Sequence, residues 1–296
     1  MKKYYLLPEG NNGLAAKYPG DINIENDPDV VFADHFEDYE KIKDIGKKYD
    51  NFFNCETMYI ADGPNIAYSG NKSIEFRMPV RDNELSLGAV KNIKDEKDIL
   101  FVRYYEKFSR TFDIVGSSHN GISLGAHYED AQGRATPGIP ADGYNKFLVA
   151  LEYWRGEEKT KSPGELNVYV YHAEQRDGYG DHFFPTGIVS PFTFREFDFG
   201  PDFIKRPNFT PEFDQWYCYE LMVQANTPGQ RDGRIAFWVD GVLTADFQNI
   251  RFRELESIKI DKFSFGFHAR SNPKQETSVW YDHIVIADSY IGPMAK

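Results

Sequence analysis

The sequence predicts an all-β protein, a two-sheet antiparallel β-sandwich preceded by an irregular N-terminal arm. Three observations predict it. The 296 residues include 24 Phe, 19 Tyr and 4 Trp but only 13 Leu, a balance that favours strands over helices. Short alternating segments recur along the chain, separated by turn pairs such as Pro163-Gly164, Pro228-Gly229, Asp232-Gly233 and Asp240-Gly241. No break of domain size interrupts them, so two facing sheets are the economical way to bury the apolar faces.

Residues 1–29 are rich in Pro, Gly, Asn and Asp and read as an arm packed on a single domain spanning 30–296. One or two helical turns are expected between Tyr39 and Tyr49, where Ile42, Ile45 and Tyr49 share a face. The strands expected after them run from Ser73 to Met78, Ile99 to Phe108, Gly121 to His127, Lys146 to Trp154 and Leu166 to Ala173. They continue from Trp216 to Ala225, Arg234 to Val239, Phe263 to Arg270 and Ser278 to Ala287.

Alternation gives each strand a core face and a second face. Leu100, Val102 and Tyr104 oppose Arg103, Tyr105 and Lys107, and Phe147, Val149 and Leu151 oppose Glu152 and Trp154. Val168 and Val170 oppose Asn167, Tyr169 and Tyr171, while Phe263, Phe265 and Phe267 oppose His268 and Arg270. The second faces combine aromatics, small residues and a few charges, which suits a ligand cleft.

Composition also excludes functions. With 34 basic and 46 acidic residues the net charge is −12, which opposes nucleic-acid binding. No apolar run of roughly 18 residues predicts a membrane span, and no signal peptide is visible. Cys55 and Cys218 lack zinc spacing and read as two buried free thiols, or as a pair if the fold brings them together. There is no Gly-x-Ser-x-Gly elbow for a serine hydrolase, and no nucleotide-binding or EF-hand spacing.

The segments Trp216 to Val223, Asn226-Thr227-Pro228-Gly229, Asp232 to Gly241 and Val279 to Ala287 resemble the concanavalin A-like lectin/glucanase superfamily. Within it they are most similar to jelly-roll polysaccharide lyases of the heparin-lyase and glucuronan-lyase kind, and to uncharacterised bacterial relatives. Val30 to Asp38 resembles the opening strand of that fold. The resemblance implies a jelly roll that acts on a polysaccharide or oligosaccharide, secreted or periplasmic, with no organic cofactor. It says nothing of oligomeric state. The carboxylate-rich strand of the retaining glucanases and the usual alginate-lyase strings are missing here.

The preferred reading is β-elimination of an acidic, uronate-containing polysaccharide in a concave-sheet cleft. That chemistry needs a group to neutralise the C5 carboxylate, a base for the C5 proton and an acid for the leaving oxygen. His119 and Tyr171 are the candidate acid and base, in unassigned order, with Arg103 and Asn120 completing the catalytic set. Tyr105, Glu152, Trp154, Tyr169, Gln175, His268 and Arg270 are the candidate substrate contacts, the aromatic rings offering stacking surfaces for sugars. Two other readings stand beside it: a non-catalytic glycan-binding module using the aromatic face, and a glycoside hydrolase using Glu152. The superfamily habit of tying first and last strands together implies structural calcium at Asp34, Glu37 and Asp282.

Overall fold

The structure is a computed structural model describing residues 6–116, 118–130, 134–190, 197–270 and 272–296. In chain order the first eight strands are β1 (Val30–Asp34), β2 (Asn51–Phe53), β3 (Met58–Asp62), β4 (Lys72–Met78), β5 (Leu85–Lys97), β6 (Ile99–Phe108), β7 (Ser118–Ala126) and β8 (Phe147–Trp154). The remainder are β9 (Glu165–Tyr171), β10 (Asp181–Phe183), β11 (Val189–Ser190), β12 (Tyr217–Gln224), β13 (Gly233–Val239), β14 (Val242–Ile250), β15 (Ile260–Ala269) and β16 (Thr277–Ala287). The helical segments described are short 3-10 turns, one of which, Ile42–Lys47, falls where the sequence suggests a turn or two. None of the described helices is long and apolar enough to cross a membrane.

Two antiparallel sheets face each other. The back sheet runs β14-β13-β12-β6-β16-β4-β3, with β1 also paired to β16. The front sheet runs β11-β10-β9-β8-β7-β15-β5-β2. The all-β sandwich expected from the aromatic alternation is therefore the architecture observed. Period 2 places Phe263, Phe265 and Phe267 of β15 in the interior, each at most 2% exposed. Phe265 packs against Phe36, Tyr49, Phe76 and Tyr281, so strands of both sheets and the β1–β2 connection converge on one side chain.

Polar groups enter this interior, one of them a carboxyl. Glu106 of β6 lies between the sheets, fully buried, and both its carboxylate oxygens lack a hydrogen-bond partner. The buried hydroxyls of Tyr104, Tyr153 and Tyr219 are likewise unpartnered. Burial pushes the Glu106 carboxyl up to about 8, because a charged carboxylate is poorly solvated there, and the nearby Tyr281 hydroxyl offsets this in part.

The N-terminal segment is bound along the outer face of the back sheet. Leu14, Ala15 and Ile24 pack with Phe101, Met222, Trp238 and Tyr290 in a second apolar cluster. The Trp238 indole N–H donates to the Pro8 carbonyl at 2.9 Å, and Leu14 and Ala15 donate to the carbonyls of Tyr290 and Ile291. Beneath the arm, Asp21 pairs with Arg103 at 2.5 Å, both almost fully buried. Cys55 and Cys218 are free thiols.

Candidate active site

The outer face of the front sheet gathers His119 from β7, Glu152 and Trp154 from β8, Asn167 and Tyr169 from β9, His182 from β10 and His268 from β15. Strand period and register bring them together: His268 stands opposite His119, Glu152 opposite Asn167, and Tyr169 opposite His182. Their rings form a continuous row. Centroid separations are 4.5 Å for Trp154 and His182, 4.8 Å for His182 and Tyr169, 4.9 Å for Tyr169 and His119, and 5.4 Å for His119 and His268. Beside it Gly88, Gly121 and Gly266 alternate with Ser86, Ser123 and Ser264 on the same face. Gly121 adopts φ of +132°, and a Cβ there would lie 2.2 Å from the Leu151 carbonyl oxygen, so glycine is required.

The partners of each histidine fix its protonation. His119 Nδ1 lies 2.8 Å from Glu152 Oε2, and its side chain remains 42% exposed while that of Glu152 is 1% exposed. Burial opposes charge on His119, but the Glu152 carboxylate and its hydrogen bond prevail and hold the imidazole above its ordinary pKa. Burial raises the Glu152 carboxyl, and His119 offsets this in part. Asn167 donates its amide to the carbonyls of Glu152 and Glu165, so its Oδ1 faces His182 Nδ1 at 2.8 Å. That oxygen can only accept, which places the His182 proton on Nδ1 and leaves Nε2 with a lone pair. Burial, aided by the charge on His119, lowers His182 to about 3, and the same two causes lower His268 to about 4. The site thus holds one histidine biased toward the cation and two kept neutral.

Beyond Tyr169 the face is covered. Tyr171 is fully buried; its hydroxyl lies 3.5 Å from that of Tyr169 and accepts from Gly138 N–H at 3.4 Å. Gly180 N–H donates to the Tyr169 hydroxyl at 2.9 Å. Lys146 stands over the rings of Tyr171 and Tyr128, 4.8 and 4.6 Å from their centroids, and donates to Thr136 Oγ1 and O. Burial lowers the Lys146 ammonium to about 8 and raises the Tyr169 hydroxyl.

Several sequence-derived candidates lie elsewhere. Arg103 and Tyr105 belong to β6 and therefore to the outer face of the back sheet, where Arg103 pairs with Asp21 and the Tyr105 hydroxyl accepts from Met294 N–H. Asn120, one residue from His119, points into the sandwich, where its Oδ1 accepts from Tyr153 N–H. Gln175 braces its own loop, accepting from Ala141 and His172 N–H and donating to the carbonyls of Asp177 and Tyr179. Arg270 falls past the end of β15 and is exposed. Tyr171 is on the expected face but under the 134–145 segment rather than open to ligand. His182, Asn167 and Lys146 were not singled out from sequence, although Asn167 and Lys146 carry the right alternation parity.

The three acids expected to share calcium do not fit a common ion. Asp34 accepts from Tyr39, Lys48 and Phe36 N–H; Glu37 accepts from Asn71 and Lys72 N–H; Asp282 accepts from Tyr68, Ser69 and His283 N–H. Among the described residues no three His, Cys, Asp or Glu side chains gather to hold a metal.

Neither a family model nor a curated protein sequence matches the chain. Solved structures do. A double mutant of the alginate lyase Aly36B, with a lysine and a tyrosine replaced by alanine and alginate tetrasaccharide bound, covers 88% of this chain and 98% of its own at a TM-score of 0.64 and 17% identity. The chain shares the two-sheet β-sandwich fold of that structure. The alginate lyase from Aplysia kurodai covers 88% of this chain and 99% of its own, with TM-score 0.59 and 14% identity. The endo-β-1,4-glucuronan lyase from the fungus Trichoderma reesei covers 88% and 96%, with TM-score 0.54 and 13% identity. The β-sandwich anticipated from the strand motifs is thus found, while identities this low leave the reaction to be argued from the site.

Proposed function

We propose that the chain is a polysaccharide lyase that cleaves a uronate polymer by β-elimination along the ring row of the front sheet. One observation carries this reading: the half-exposed His119, held through Nδ1 by buried Glu152, stands beside the Tyr169 phenol, with neutral His182 on the far side of that ring. His119, as its cation, neutralises the C5 carboxylate and so stabilises the enolate that forms when the C5 proton leaves. His182 Nε2, the unprotonated nitrogen, takes that proton, and the Tyr169 hydroxyl donates to the leaving oxygen. His182 is a weak base, its pKa lowered to about 3. Burial is the larger cause and the His119 charge the smaller, and a substrate carboxylate beside His119 offsets the smaller one and raises the basicity of His182 in part. Tyr171 and Lys146 act as positioning residues behind Tyr169; a lysine and a tyrosine are also the pair replaced in the alginate-bound lyase.

Glu152 is spoken for by His119 and almost fully buried, which disfavours its use as the free carboxylate of a hydrolase. The ring row favours glycan binding as the second reading, since binding alone requires only the stacking surface. The purified chain is to be incubated with alginate, glucuronan and a neutral glucan while ultraviolet absorbance of a conjugated double bond and reducing ends are followed together. The lyase reading expects both signals to rise in step on a uronate polymer and to vanish in His119→Ala and Tyr169→Phe. Binding with neither signal would establish the module instead.

A further inference from the structure

We infer that the back sheet carries a second ligand site, beside β1, for a single small hydroxylated carboxylate of the sugar-acid type. A cavity of about 560 Å³ opens there, lined by residues of β1, the arm and the β16 segment that carries His283. It is built mainly on β1 and β16 of the sheet opposite that of His119, with Lys91 of β5 also in the lining, and its volume suits a ligand of mono- or disaccharide size.

The lining supplies the three contacts that a sugar acid needs. Phe32 gives a ring against which the C–H face of a pyranose can pack. Behind it, Asp21 uses Oδ2 for Arg103 and for His283 Nδ1 at 3.3 Å, while its Oδ1 has no partner although the residue is 4% exposed. His35, whose ring lies 6.2 Å from that of His283, also has a buried Nδ1 without a partner. Two orphaned polar atoms in one cavity wall are costly. Ligand hydroxyls, which both donate and accept, would satisfy them. Lys47 supplies positive charge for a carboxylate, beside Lys48 and Lys91, which already pair with Asp34 and Asp50. Glu25 and Asp38 in the same lining oppose any further negative charge, which selects one sugar acid over a long polyanion.

The choice of ligand rests on the uronate reading above; the cavity does not. The test uses the full chain carrying His119→Ala, which removes the cation of the front site, titrated with glucuronate and with glucose by saturation-transfer NMR and calorimetry. Glucuronate is expected to bind, with glucose weaker by roughly tenfold. His35→Ala and Lys47→Glu, each added to that background, are expected to weaken glucuronate by about tenfold with an unchanged circular dichroism spectrum. No glucuronate binding, affinity unmoved by both substitutions, or equal affinity for glucose would each overturn the inference. Polymer cleavage by the wild-type chain is measured separately. Elimination without glucuronate binding to His119→Ala sinks this site alone, and binding without elimination sinks the lyase reading alone.

Discussion

Replacing Glu106 by Gln should stabilise the protein, and by an amount that grows with pH. The carboxyl sits between the two sheets with neither oxygen hydrogen-bonded. Its pKa rises from 4.5 to about 8 on burial, a difference of about 3.5 units, or about 5 kcal/mol at about 1.4 kcal/mol per unit. The unfolded chain releases this proton near 4.5 and the native chain retains it until about 8. Between those values the native state binds more protons, so the stability from this group is full below the lower value and is lost as pH rises through the upper one. Glu106→Gln cannot ionise. It should match wild type within about 1 kcal/mol at pH 4, exceed it by roughly 3 kcal/mol at pH 7, and by roughly 5 kcal/mol at pH 9. Urea denaturation of both proteins across that range reads the difference directly, because titrations elsewhere cancel. Parallel stability curves would show that Glu106 is ionised or hydrated in the native state and refute the reasoning.

Three further outcomes follow from the same geometry. Asp21→Ala strips the partner from fully buried Arg103 and should cost about 3 to 5 kcal/mol in urea denaturation; a loss below about 1 kcal/mol would mean that water reaches the guanidinium. Glu152→Gln removes the carboxylate that keeps His119 charged, so the His119 resonance should titrate at lower pH, and the alkaline limb of any elimination activity should move down with it. An unmoved titration would contradict the pairing. Since Asp34, Glu37 and Asp282 are engaged separately, the melting temperature should be the same in chelator and in millimolar calcium, and a rise with calcium would reveal a ligand set elsewhere.

Much of the fold was legible because alternation acts locally. The three phenylalanines of β15 are inside as period 2 requires, and β6 has the same two faces that its sequence shows. Alternation cannot say which sheet a strand joins. Arg103 and Tyr105 share a parity that suits a cleft, yet β6 pairs with β12 and β16 in the back sheet, so their face meets the N-terminal arm and the chain end instead. Asn120 faces the interior because adjacent residues on one strand point to opposite sides, and His119 holds the outer one. The contact between His119 and Glu152 depends on the β7–β8 register with Gly121 between them, which no local pattern contains. Burial of Tyr171 comes from the 134–145 segment folding back over the sheet, a tertiary event without a periodic signature. β5 went unread because Gly88 and the charged run Lys94 to Lys97 interrupt its pattern.

The central claim is elimination at the His119 site, and product mass tests it most directly. A uronate oligosaccharide is incubated with the wild-type chain in water enriched in heavy oxygen, and the fragments are analysed by mass spectrometry. Elimination predicts that the new non-reducing end is unsaturated, one water lighter than a hydrolytic product, with no solvent oxygen incorporated by the cleavage itself, and that the product is absent with His119→Ala. Fragments of full mass that carry one solvent oxygen from the cleavage, or unsaturated product undiminished in His119→Ala, would contradict the account.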